Sequence, residues 1–218
     1  LCVTNITFFD KRFALFIHFS YLCAMKVNIH THHPKSGERT ISTLGIHPYD
    51  AEGVTTDSIF AIERTALEYD AIGEIGLDYS ANINKEAQIL LFKAQLEVAR
   101  HLNKGVVIHC VKAFEEVMNI LSRYNLPFVI FHGFIGSPEQ ALRAAARGYY
   151  LSFGHRTFRS PKSIEALKVT PTNLLFFETD DSTINIEQIY RQVSEILGIP
   201  EPMLECVTNE NFERITNL

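Results

Sequence analysis

Short apolar runs rich in valine, isoleucine and phenylalanine alternate along the chain with stretches of helical period. The runs 27–30, 41–47, 71–77, 106–109, 128–132, 149–153 and 174–178 read as strands. Most are continuously apolar, the pattern of parallel strands buried on both faces. Between them, Ile89, Phe92, Leu96 and Ala99 share a helical face that starts from a cap at Asn84, with Gly105 just past its end. Phe114, Val117, Leu121 and Tyr124 form the next stripe. Ser137-Pro138-Glu139-Gln140 is a capping box with proline at the first helical position, and Gly148 terminates that helix. Ile186, Ile189, Val193 and Ile196 form another stripe, closed by Gly198 and Pro200, and a last helix covers 202–215. The segment 33–40, with Pro34, Ser36 and Gly37, reads as a loop.

The order is strand, strand, then repeated β-α-β units and a closing helix, which means a parallel α/β sheet. Seven or eight strands can close as a barrel or lie open and doubly wound. No glycine-rich phosphate loop follows the first strand, which weighs against the nucleotide-binding open sheet. Residues 25–218 are expected to form a single domain; barrels of this size are routinely one unit.

The first 24 residues stand apart. Lys11 and Arg12 precede an apolar run ending at Ala24, like a weak signal segment, too short and interrupted to span a membrane. Met25 runs straight into the first strand, so 1–24 are expected to be an upstream extension. The 218 residues carry a formal net charge of −5, a mild argument against grip on nucleic acid by phosphate neutralisation alone. The four cysteines form no C-x-x-C pair and suggest no disulfide framework, so a reducing, cytoplasmic setting is expected.

The chemistry lies at the strand ends. His30 and His32 follow the first strand and His47 the second; Glu74 and Asp78 lie on and after the third. His109 ends the fourth, His132 the fifth, and Asp180 follows the seventh. In a parallel barrel these ends open on one face, where active sites are built. Residues two apart on a strand point to the same side, so His30 and His32 can reach into one mouth. Imidazole and carboxylate are ligands of divalent ions. A carboxylate such as Glu74 inside an apolar strand is costly unless paired or metal-bound. Four histidines and two carboxylates suffice for two ions sharing a ligand.

These residues resemble a known family. Asn28-Ile29-His30-Thr31-His32, Gly45-Ile46-His47-Pro48, Gly73-Glu74-Ile75-Gly76-Leu77-Asp78-Tyr79, His109, Phe131-His132-Gly133-Phe134 with Gly136, Ser152-Phe153-Gly154 and Glu178-Thr179-Asp180 look like the ordered motifs of the TatD family of metal-dependent hydrolases. Asn211 and Arg214 resemble its closing motif. The resemblance implies a TIM-like (β/α) barrel of the metal-dependent hydrolase superfamily. It implies His30, His32, Glu74, His109, His132 and Asp180 as ligands of two divalent ions (Mg²⁺, Mn²⁺ or Zn²⁺), with Glu74 bridging and Asp180 holding or deprotonating the attacking water. The implied reaction is phosphodiester hydrolysis in DNA, with 3′-exonuclease action on single strands; separately, a monomer is expected.

Three positions depart from the family pattern. Asn28 replaces the usual Asp, Val111 the usual Arg (with Lys112 adjacent), and Ser182 the usual Pro. Substrate-facing candidates are His47, Asp78, Lys112, His155 and Arg156, with Tyr49 and Tyr79 able to stack on a base. The altered substrate positions keep open a small phosphodiester, ester or amide substrate. A non-catalytic barrel is the third reading.

Overall fold

A computed structural model describes residues 25–217; the expected upstream extension at 1–24 lies outside the described residues. Short strands β1 (Lys26–Val27), β2 (Glu38–Arg39) and β3 (Thr43–Leu44) come first. They are followed by α1 (Thr56–Thr65), β4 (Ala71–Asp78), α2 (Lys85–His101), β5 (Gly105–Val111), α3 (Phe114–Leu121) and β6 (Val129–Phe131). Then come α4 (Pro138–Ala145), β7 (Tyr150–Phe153), α5 (Pro161–Val169), β8 (Leu175–Phe177), α6 (Ile186–Leu197) and α7 (Glu201–Thr216).

Strands β3 to β8 form a parallel sheet in chain order, and β1 pairs with β2 in parallel. Backbone hydrogen bonds join the two ends. Ile29 N donates to Phe177 O at 2.9 Å, Asp180 N to His30 O at 3.1 Å, and His32 N to Asp180 O at 3.0 Å. Since β2 and β3 lie on one run, the pairing passes from β8 through β1 and that run to β4. Apart from β2, the strands fall at or beside the runs that the apolar pattern indicates.

Alternate residues of the strands bury to opposite sides. Val27, Ile29, Ile41, Ala71, Val107, Ile130 and Phe176 pack together as one cluster. Their neighbours Ile72, Val106, Ile108, Val129, Phe131, Leu175 and Phe177 pack with the helices in a second, larger one. Burial on both faces accounts for the continuous apolar runs.

Helix boundaries follow local chemistry. Asn84 accepts from Ala87 N, the Ser137–Gln140 capping box is formed, and Gly198 ends α6 in a left-handed turn at φ 66°. Some expectations are corrected. Gly105 opens β5 and does not close α2, whose end turns at Asn103 with φ 51°. The expected loop 33–40 ends in strand β2. Arg39 bonds Asn209 and Glu213 of α7 and stacks on Phe212 at 4.3 Å, so a polar, loop-like pair is pinned beside β1. Helices α1 and α5 fall where the apolar stripe is thin: only Ile62 is buried in α1. Among the described residues Cys110 is a free thiol. Among the described residues no helix is long and apolar enough to cross a membrane.

Asn28 has a structural role. Its amide nitrogen donates to Glu38 Oε2 at 2.8 Å and Thr179 Oγ1 at 2.9 Å, and its oxygen accepts from Thr179 N at 2.9 Å. An aspartate here could not donate, and its charge would face Glu38. Asn28→Asp is expected to cost about 1–3 kcal/mol, the usual range for leaving a buried polar group unsatisfied. Urea unfolding of wild type and variant at neutral pH checks this.

Candidate metal centre

Glu74 is placed by an irregularity in β4. Ile72 pairs with Val106 and Ile75 with Ile108, so Gly73 and Glu74 together face Val107. Such a bulge bends the strand and re-aims a side chain. The neighbouring glycines permit it. A Cβ on Gly76, at φ 145°, would lie 2.0 Å from His109 O, and one on Gly73 would lie 2.7 Å from Val107 Cβ. Only glycine lets β4 and β5 approach this closely.

The Glu74 carboxylate is shared between two sets of imidazoles. Oε1 is 3.0 Å from His30 Nε2 and 3.2 Å from His32 Nε2. Oε2 is 2.9 Å from His132 Nε2 and 3.8 Å from His109 Nδ1. Asp180 Oδ1 completes the first side, 3.5 Å from His32 Nε2 and 3.8 Å from His30 Nε2. Asp180 sits at φ 52°, a left-handed conformation that Asp adopts more readily than most residues. Its backbone is fixed there by the bridge to Thr31.

Among the described residues three groupings have ligand atoms within 4.8 Å of one another: His30, His32, Glu74 and Asp180; His47, Glu74 and His109; and His132, Glu178 and Asp180. The structure thus brings together all six residues expected as ligands, and adds His47 and Glu178. His30 Nε2 is buried with no hydrogen-bond partner. Buried imidazole nitrogens facing carboxylate oxygens, with lone pairs unspent, fit a divalent cation.

Electrostatics reinforce this. Burial works to raise the Glu74 carboxyl, but the facing imidazoles of His109, His132 and His30 outweigh it and hold the group far below the usual carboxylate range. His47 is lowered to about 4, first by burial and then by His109, so it is neutral at pH 7. Its Nδ1 accepts from Tyr49 N at 3.2 Å, which leaves the proton on Nε2.

The substrate-facing candidates divide. Asp78 is buried, and its oxygens are engaged by Ser80, Ala81, Tyr49 Oη at 3.0 Å and His109 Nε2 at 3.1 Å. It therefore backs His109. Burial opposes its ionisation, but the Ser80 hydroxyl and His109 lower it to about 2. Lys112 is exposed, at φ 53°, and lines a cavity of about 520 Å³ beside His132, with Tyr79, Phe134 and Lys162. His155 is half-buried in the loop after β7. Arg156 pairs with Asp181 at 3.3 Å, and Tyr79 lies under Lys85 at 4.5 Å. Tyr49 is 53% exposed, with its ring against His47 at 4.4 Å. Sequence reasoning assigned no role to Glu178. The signal available was a carboxylate in an apolar run two residues before Asp180.

Parallel strands alternating with helices, with imidazoles and carboxylates gathered at the strands' carboxyl ends, are the arrangement of a metal-dependent hydrolase of the TIM-barrel type. The chain belongs to the TatD family, whose model, "TatD related DNase", matches residues 7–217. Among its relatives is the metal-dependent hydrolase YabD of Bacillus subtilis, 29% identical over 194 residues, 80% of this chain and 76% of that protein. Another is the 3′-5′ ssDNA/RNA exonuclease TatD of Shigella flexneri, 34% identical over 148 residues, 64% of this chain. That match spans 56% of the Shigella protein, little more than half its length. The fold is shared with YjjV, a TatD homologue from Escherichia coli K12, at a TM-score of 0.75 and 24% identity over 92% of this chain and 83% of that one. The family and fold agree with the expectation drawn from the order of the motifs.

Proposed function

We propose that this chain is a divalent-metal phosphodiesterase that acts on single-stranded DNA from the 3′ end, as a monomer, with two ions held by His30, His32, Glu74, His109, His132 and Asp180. The observation that carries the reading is the division of Glu74, one oxygen toward His30 and His32 and the other toward His109 and His132. When bound, two divalent ions supply an acidified water and a clamp for the phosphoryl oxygen, with Mg²⁺, Mn²⁺ and Zn²⁺ all compatible with mixed imidazole and carboxylate donors. Glu74 spans both positions and stays ionised among its imidazoles. Asp180 presents Oδ1 beside His32, where it orients the attacking water and accepts its proton. His47, neutral with its proton on Nε2, donates a hydrogen bond to a non-bridging oxygen. Lys112 offsets phosphate charge next to His132, with His155 as a further donor. The exposed Tyr49 ring, its hydroxyl tied to Asp78, offers a face for a terminal base.

A small phosphodiester or ester is the second reading. It is favoured by Val111 where an arginine would grip phosphate, and by the pairing of Arg156 with Asp181. One experiment decides between them. With Mg²⁺ or Mn²⁺, a 5′-labelled single strand is expected to shorten stepwise, to be protected by a 3′-terminal block, and to be untouched in chelator. Cleavage of bis(p-nitrophenyl) phosphate with the DNA intact would establish the second reading instead.

A further inference from the structure

Two of the imidazoles facing Glu74 have a second carboxylate on their far side. His109 turns Nδ1 toward Glu74 and Nε2 to Asp78 Oδ2 at 3.1 Å. His132 turns Nε2 to Glu74 Oε2 at 2.9 Å and Nδ1 to Glu178 Oε1 at 3.5 Å. We propose that Glu178 is a positioning residue: it accepts the Nδ1–H of His132 and so aims the Nε2 lone pair at the ion shared with Glu74. This rests on the two-metal reading above.

Glu178 follows β8 directly and is 1% exposed. Beyond their mutual approach at 3.5 Å, neither the Glu178 oxygens nor His132 Nδ1 has a hydrogen-bond partner. A buried carboxylate without a partner is costly, and here the nearest cation-forming group is His132. The surroundings are shaped to admit the carboxylate. A Cβ on Gly133 would lie 3.3 Å from Glu178 Oε1, and one on Gly154 would lie 3.1 Å from its backbone oxygen and 3.4 Å from its Cγ. Ser152, fully buried on β7, likewise has a hydroxyl without a hydrogen-bond partner. The Glu178 carboxylate itself is closed off from solvent, so it acts through His132. A histidine that binds metal through one nitrogen is commonly fixed by a carboxylate on the other, which sets tautomer and ring orientation.

The test combines calorimetric titration of Mn²⁺ into wild type, Glu178→Gln and Glu178→Ala with long-range ¹H–¹⁵N NMR of His132 in the Zn²⁺-loaded chain. The expected wild-type result is a protonated Nδ1 and a metal-bound Nε2. Glu178→Ala is expected to weaken one ion by about 10–100-fold. Glu178→Gln, whose amide oxygen still accepts from Nδ1–H, falls between and keeps the wild-type tautomer. Equal Mn²⁺ affinity in all three would overturn the proposal, as would an ion on Nδ1 in wild type, which makes Glu178 a direct ligand. Should Glu178→Ala fail to fold, the Gln variant and the wild-type tautomer decide. Absence of ion binding by the wild type overturns the metal reading itself, and this proposal with it.

Discussion

Glu74→Gln is expected to lower kcat/KM on single-stranded DNA by roughly a thousand-fold, a loss of about 4 kcal/mol of transition-state stabilisation, while leaving the fold intact. Glutamine has the same shape, so the bulge at 73–74 and the packing of β4 on β5 persist. It keeps one acceptor, which can still face either His30 and His32 or His109 and His132, but not both. The other side receives an amide N–H in place of an acceptor. One ion position loses a ligand, and the negative charge common to both sets of imidazoles is gone. Metal titration alongside the kinetics separates this from a simple catalytic loss, because affinity falls with activity. Wild-type kcat/KM, within tenfold, at saturating Mn²⁺ would contradict the assignment.

Asp180→Asn is expected to behave differently. Loss of a positioned general base typically costs about 10²–10⁴ in rate, and the loss should appear in kcat with KM little changed. The variant suits the site, since asparagine also tolerates the left-handed backbone at φ 52°. The backbone bonds from His32 N to Asp180 O and from Asp180 N to His30 O are kept. The side chain retains an oxygen near His32 but cannot accept a proton. Steady-state kinetics across a substrate range, with circular dichroism as a check on folding, make the comparison. An unchanged kcat would remove Asp180 from the role of base.

Much of this centre was legible in the sequence because burial makes a charged residue conspicuous. Glu74 within Ile72-Gly73-Glu74-Ile75 has no reason to be there unless something compensates its charge. The histidines fall where apolar runs stop, which in a parallel sheet is one edge. What the sequence does not display is direction. Nothing in the order of residues says that two of them, Gly73 and Glu74, oppose one on β5, and it is this bulge that sets the Glu74 carboxylate between two pairs of imidazoles. Asp78 looks like a substrate contact because it follows Glu74 at a strand end. The Ser80 turn and Tyr49 fold it back onto His109. Glu178 is hidden for the opposite reason: its partner, His132, is 46 positions away and pairs with it only once β6, β7 and β8 lie side by side. The β2 pairing is likewise fixed at a distance, by the hold of α7 on Arg39.

The central claim is that one carboxylate, Glu74, is shared by two ions. Electron paramagnetic resonance of the chain loaded with Mn²⁺ tests it most directly, since two manganese ions joined through a carboxylate are magnetically coupled. The expected result is two Mn²⁺ per chain with the spectrum of a coupled pair, replaced in Glu74→Gln by isolated-ion signals at lower occupancy. A wild-type spectrum of isolated ions, or a coupled pair that survives Glu74→Gln unchanged, would contradict it.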